Sequence, residues 1–162
     1  GMVPGPVDQS VIEQRNDILC YTTSELSDEL EITGPLRIVL YASTTVKDTD
    51  FAAKLTDVLP DGRSLLIAEG IQRAAYRNWN HEPEPIVPGA VTKYAISLGN
   101  PSHLFRRGHR IRVHITSSNF PLFDRNMNTG NGIGQDAIGL VAQQTIYHDS
   151  AYASYIELPV IP

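Results

Sequence analysis

Apolar side chains recur mainly at every second position of this chain, in runs of five to nine residues separated by Gly, Pro, Asp and Asn. That period sends successive side chains to opposite faces and predicts half-buried β-strands. From Arg110 to Thr116, Ile111, Val113 and Ile115 share one face, while Arg110, Arg112, His114 and Thr116 share the other. The polar face must meet water or a polar partner. From Phe51 to Val58, Phe51, Ala53 and Leu55 oppose Lys54 and Thr56; Pro60-Asp61-Gly62 then supplies a turn before an apolar run from Ser64 to Ala68, which predicts a hairpin. Leu36 to Ala42 is almost wholly apolar, as in an inner strand covered on both faces. Further runs at Ile18 to Thr22, Ala74 to Arg77, Tyr94 to Leu98, Val141 to Tyr147 and Ile156 to Val160 bring the expectation to eight to ten strands. That number closes two packed antiparallel sheets, an all-β β-sandwich of jelly-roll type. The one helical expectation is a turn or two over Gln9 to Arg15, with Ser10 as its cap.

Length limits this to a single domain over residues 1–162, with residues 1–16 a linker-like lead-in. The chain carries 13 Lys and Arg against 18 Asp and Glu, a formal charge of −5, with 41% hydrophobic and 19% charged residues. This composition fills a core and speaks against disorder and against a nucleic-acid partner. No apolar run approaches the roughly 20 residues of a membrane-spanning helix, so no membrane partner is expected. Cys20 is the only cysteine, which excludes an intramolecular disulfide and a thiolate zinc cage. With no secretory signal in view, a cytoplasmic location is the expectation.

No serine is flanked as in G-x-S-x-G, the motif of the strand-turn-helix hydrolases. His114, Ser118 and Asp124 supply the letters of a triad. However, side chains four apart on a strand stand about 13 Å from each other at roughly 3.3 Å per residue, so His114 has no local reach to Ser118. His81, His103, His109, His114 and His148 lack the helical spacing of a zinc site. Asp48 and Asp50 put two carboxylates on one side of an extended segment, but the remaining ligands of a calcium loop are missing, and local hydrogen bonding is the favoured role. No cofactor is expected, and no catalytic, cofactor-binding or metal-ligating residue is assigned. Two irregular segments remain, Asn78 to Gly89 and Asn119 to Gly139, both long enough to suggest a function. The second opens with Phe120, Phe123 and a prospective Asp124–Arg125 ion pair beside Asn126. These five, with Tyr76, Arg77 and Trp79, are the candidate residues of a cleft rim or domain interface. Phe120 and Phe123 have an alternative place as plugs of the sandwich end.

Several stretches, in order, resemble the C-terminal non-catalytic domain of the X-Pro dipeptidyl-peptidase and cocaine-esterase type of serine hydrolase. They include Gly5-Pro6-Val7-Asp8-Gln9, Arg15 to Thr22, Glu31 to Pro35, Asp48 to Phe51 with Lys54 to Val58, Pro60 to Arg63, Gly108 to Arg112, Ser117 to Asn126, and His148 to Pro162. The resemblance implies a jelly-roll β-sandwich of the galactose-binding-domain-like type attached to an α/β-hydrolase domain that supplies the nucleophile, acid and base, with this domain helping to wall the active-site cleft. It also implies a chain cut from a longer enzyme, with that catalytic domain as partner in the same protein or as a separate subunit. A homo-oligomer through the uncovered docking patch is a further expectation. Two other readings stand beside it: a carbohydrate-binding module using Trp79 and Tyr76, and a hydrolase with a site spread over His109, His114, Ser118 and Asp124.

Overall fold

The computed structural model describes residues 6–78 and 82–162. Strands β1 (Leu19–Thr22), β2 (Leu30–Thr33), β3 (Arg37–Thr44), β4 (Asp50–Val58), β5 (Ser64–Arg73), β6 (Thr92–Ser97), β7 (Ser102–Phe105), β8 (Arg110–Thr116), β9 (Gln144–Tyr147) and β10 (Tyr155–Glu157) make up the described part, with 3-10 turns at Ile12–Gln14 and Ala74–Tyr76. One sheet runs β1-β8-β4-β5. The second runs β10-β3-β6, with β9 following β10 along the same edge of β3, and β2 pairs with β7 separately. Every strand pair is antiparallel. The alternation seen in the sequence is what the two-layer arrangement uses. Phe51, Ala53 and Leu55 of β4 and Ile111 and Ile115 of β8 meet Ile38, Leu40, Tyr94 and Ile96 from the other sheet. Phe51 and Tyr94 are fully or almost fully buried, with ring centroids 4.7 Å apart across the layers. Burying a side chain such as Phe51 is worth about 1.5–3 kcal/mol.

Three local readings change. Ala74 to Arg77 is a 3-10 turn rather than a strand, while β5 continues to Arg73. Its Gly70 passes so close to β6 that a Cβ there would stand 2.0 Å from the Ser97 carbonyl oxygen. The turn over Ile12–Gln14 has Val11, not Ser10, at its N-cap position, and the Ser10 hydroxyl donates instead to Asp8 at 3.0 Å. Finally, β2 and β7 are too short to show an alternating run. The hairpin turn is as read: Gly62, at φ 91°, donates its N–H to Leu59 and lets β4 pair with β5.

Candidate domain interface

Strand directions gather the irregular segments at one end of the sandwich. Asp50 opens β4 opposite Arg73 at the close of β5, and Ala52 pairs with Thr116, where β8 ends and the long loop begins. Thr44 closes β3 opposite Gln144, where that loop returns as β9. The turn at Ala74–Tyr76 and residues 117–143 therefore share this end.

Asp48 and Asp50 hold the rim together. Both are buried. The Arg73 fork donates to the two Asp50 oxygens at 2.8 and 3.0 Å. The Asn126 amide donates to Asp48 Oδ2 at 2.8 Å and to Asp50 Oδ1 at 2.9 Å. Asp48 Oδ1 accepts the Ala75 N–H at 2.8 Å. Thr49, pointing the other way, accepts from Gln144 Nε2 at 2.7 Å. The spacing that suggested a cation instead recruits an amide, a guanidinium and a backbone N–H, which is how buried carboxylates are normally satisfied. The Asp50 hydrogen bond, opposed by burial, holds the Arg73 guanidinium's pKa above its ordinary value. Beyond the latch the loop closes on itself. Asn126 Oδ1 accepts the Asn128 N–H at 2.9 Å, and the Asn128 amide donates to the Leu140 carbonyl at 2.8 Å. Asn128 takes a left-handed φ of 63°, a conformation that asparagine tolerates better than most residues.

The latched loop presents apolar groups outward. Phe120 is 56% exposed and Ile138 and Val141 more than 80%, with Leu122, Phe123, Ile133 and Leu140 also exposed. Phe120 and Phe123 thus do not plug the sandwich. Tyr76, Phe123, Asp124 and Ile133 border one open hollow together with Arg73. Asp124 and Arg125 form no ion pair with each other; the Arg125 guanidinium lies over the Phe120 ring, 4.4 Å from its centroid. Arg77 turns inward, donating to the Ala74 and Glu84 carbonyls at 3.1 and 2.6 Å, so it braces the neighbouring segment rather than facing a partner. Trp79 lies outside the described residues.

Beside the loop, a polar cleft of about 590 Å³ opens between the N-terminal segment and the sheet, bordered by Lys54, His114, Ser117, Ser118 and Arg125. The polar face of β8 meets its partner here. Glu13 accepts from Arg112 and, at 2.7 Å, from His114 Nε2. His114 is 1% exposed and its Nδ1 has no partner among the described residues, and burial pushes its pKa below the ordinary 6.5 against the opposing pull of Glu13. Alternation alone placed this histidine on the polar face; that Glu13, 101 residues away, buries and binds it had no local signal. His109 lies at the other end of β8, bonded with His103 to Asp57 at 2.9 and 3.0 Å. Its ring and Ser118 therefore flank opposite ends of a seven-residue strand and do not converge as a spread catalytic site requires. His114 bonds a carboxylate rather than a serine hydroxyl.

Residues 5–157 match the family model of the X-Pro dipeptidyl-peptidase C-terminal non-catalytic domain. The chain is 42% identical over 159 residues to a cocaine esterase of Rhodococcus sp. (strain MB1 Bresler), covering 97% of this chain and 28% of that protein. Its fold is similar to that of an aminopeptidase from a marine sediment Thaumarchaeota archaeon, with a TM-score of 0.90, 32% identity, and 97% and 28% of the two chains covered. It is equally similar to an alpha-amino acid ester hydrolase, with a TM-score of 0.91, 32% identity, and 96% and 27% covered. The carbohydrate-binding alternative finds no support in these likenesses. The chain thus spans a little over a quarter of each of these relatives, and it belongs to the X-Pro dipeptidyl-peptidase C-terminal non-catalytic domain family.

Proposed function

We propose that this chain is the accessory region of a serine hydrolase acting on ester or amide bonds, and that its rim loop docks on the α/β-hydrolase region and helps wall the active-site cleft. The supporting observation is the conjunction of family and surface: a non-catalytic domain family, and one latched loop that turns Phe120, Leu122, Ile138 and Val141 to the outside. Exposed apolar groups collected on an ordered loop favour a protein partner over water. Asp48, Asp50 and Asn126 do no chemistry in this reading; they hold that surface in shape. The test compares turnover of small aryl esters, aminoacyl esters and aminoacyl-prolyl amides by this chain alone and by the complete protein. The complete protein is expected to turn over one of these classes and the chain none. Turnover by the chain that survives changing Ser117 and Ser118 to Ala would refute the accessory role.

A further inference from the structure

Among the described residues, the charged side chains that line the polar cleft have opposite-charge partners except at Arg125. Arg15 gives its fork to Asp17 at 2.8 and 2.5 Å. Lys54 donates to the Gln9 side chain at 3.1 Å and stands 3.5 Å from Glu69. Glu69 also accepts from Asn119 at 2.8 Å. Arg112 and His114 share Glu13. Arg125 borders the same cleft, yet among the described residues it faces no carboxylate within ion-pair distance. Its contact is with the Phe120 ring, over which its Cζ lies 4.4 Å from the centroid, and among the described residues its guanidinium nitrogens make no hydrogen bond. The surroundings suit a pair made across an interface. Phe120 borders the cleft with Ser117, Ser118 and Asn128, and Leu122 and Phe123, next to it in the chain, are exposed as well. An arginine resting on an aromatic ring beside exposed apolar side chains is the kind of group that anchors an interface once water is displaced.

We propose that Arg125 is the electrostatic anchor of the docking surface, and that the hydrolase region presents an aspartate or glutamate carboxylate to it at the mouth of this cleft. The inference rests on the docking proposed above and adds the chemistry of the contact. A lone guanidinium edge offers the two parallel donors that a carboxylate takes, whereas a phosphate site of comparable strength gathers several cations.

The deciding experiment is a crystal structure of the complete protein, followed by charge reversal. A hydrolase-region carboxylate oxygen within 4 Å of the Arg125 guanidinium is expected, a separation at which ion pairs form. Arg125→Glu should weaken the association of the two regions by about tenfold or more, and reversing the contacting acid to Lys should restore it. Arg125→Gln should shift the melting of this chain by itself only slightly, since no ion pair inside the chain is lost and only the exposed contact with the Phe120 ring goes. If Phe120, Leu122 and Phe123 are covered but Arg125 faces solvent or only carbonyl oxygens, the anchor assignment is wrong and docking stands. If that whole surface is free in the complete protein, both fall.

Discussion

Asn126 is the residue on which the shape of the rim loop depends, and Asn126→Ala measures that dependence. Its amide nitrogen donates to two buried carboxylates, at 2.8 Å to Asp48 and 2.9 Å to Asp50, and its oxygen caps the Asn128 N–H. Hydrogen bonds to charged groups are worth about 1.5–3 kcal/mol each. The full sum is an overestimate here. Asp50 keeps both Arg73 donors, Asp48 keeps the Ala75 N–H, and the half-buried position of Asn126 admits replacement water. A loss of about 2–3 kcal/mol remains, or roughly 5–10 °C in melting temperature for a chain of this length. Urea unfolding at neutral pH should show the lower midpoint with an unchanged slope. Amide exchange should accelerate from residue 119 to 141 before it does in β4 or β8. Asn126→Asp should be worse, because it replaces a donor with a third carboxylate, and its deficit should shrink at acid pH where the new carboxyl can protonate and donate. Asn100→Ala is the control, an exposed asparagine outside the latch, expected within about 0.5 kcal/mol of the parent. Equal midpoints for Asn126→Ala and Asn100→Ala, with unchanged loop exchange, would refute the latch.

Gly70→Ala should destabilise by about 1–3 kcal/mol in a thermal or urea melt, because the new methyl meets the Ser97 backbone at 2.0 Å and a sheet must move to admit it. Neutral or raised stability would mean that the sheets part there without cost. Burial holds the folded His114 pKa below 6.5, so the unfolded chain binds more protons as pH falls beneath that value, and stability should decline from about pH 6.5 downward. His114→Gln, which keeps a donor toward Glu13, should flatten that decline; identical pH profiles for the two proteins would exclude His114 as its source. Ile138→Ser and Val141→Ser should change the stability of this chain by no more than about 0.5 kcal/mol and reduce any self-association seen by sedimentation. A large loss of stability would place those side chains in a core rather than on a docking face.

What the sequence discloses is the local rhythm. Strand β8 was legible because it alternates over its seven residues and sends Ile111 and Ile115 into the core; β4 showed its core side chains Phe51, Ala53 and Leu55, but between β8 and β5 it is buried on both faces rather than half-buried, since Ala52 and Thr56 are covered as well. The hairpin at Pro60-Asp61-Gly62 was legible because turn chemistry is also local. Ala74 to Arg77 misled because four residues are too few to separate a strand from a single helical turn. Adjacency suggested the Asp124–Arg125 pair, yet neighbours along an extended chain point to opposite sides, and Arg125 finds a ring five residues back. The latch and the buried Glu13–His114 bond were hidden for another reason. They join residues 78 and 101 positions apart, and only the crossing of strands brings them together.

Docking through the rim loop is tested most directly by comparing hydrogen–deuterium exchange in this chain alone and in the complete protein. Residues 119 to 141 should gain the largest protection on joining the hydrolase region, while the tyrosine-lined face of β3 and β9 exchanges alike in both. Protection centred on Tyr41, Tyr147 and Tyr152, with residues 119 to 141 unchanged, would put the hydrolase region on the other sheet and end the case for this loop as the docking surface.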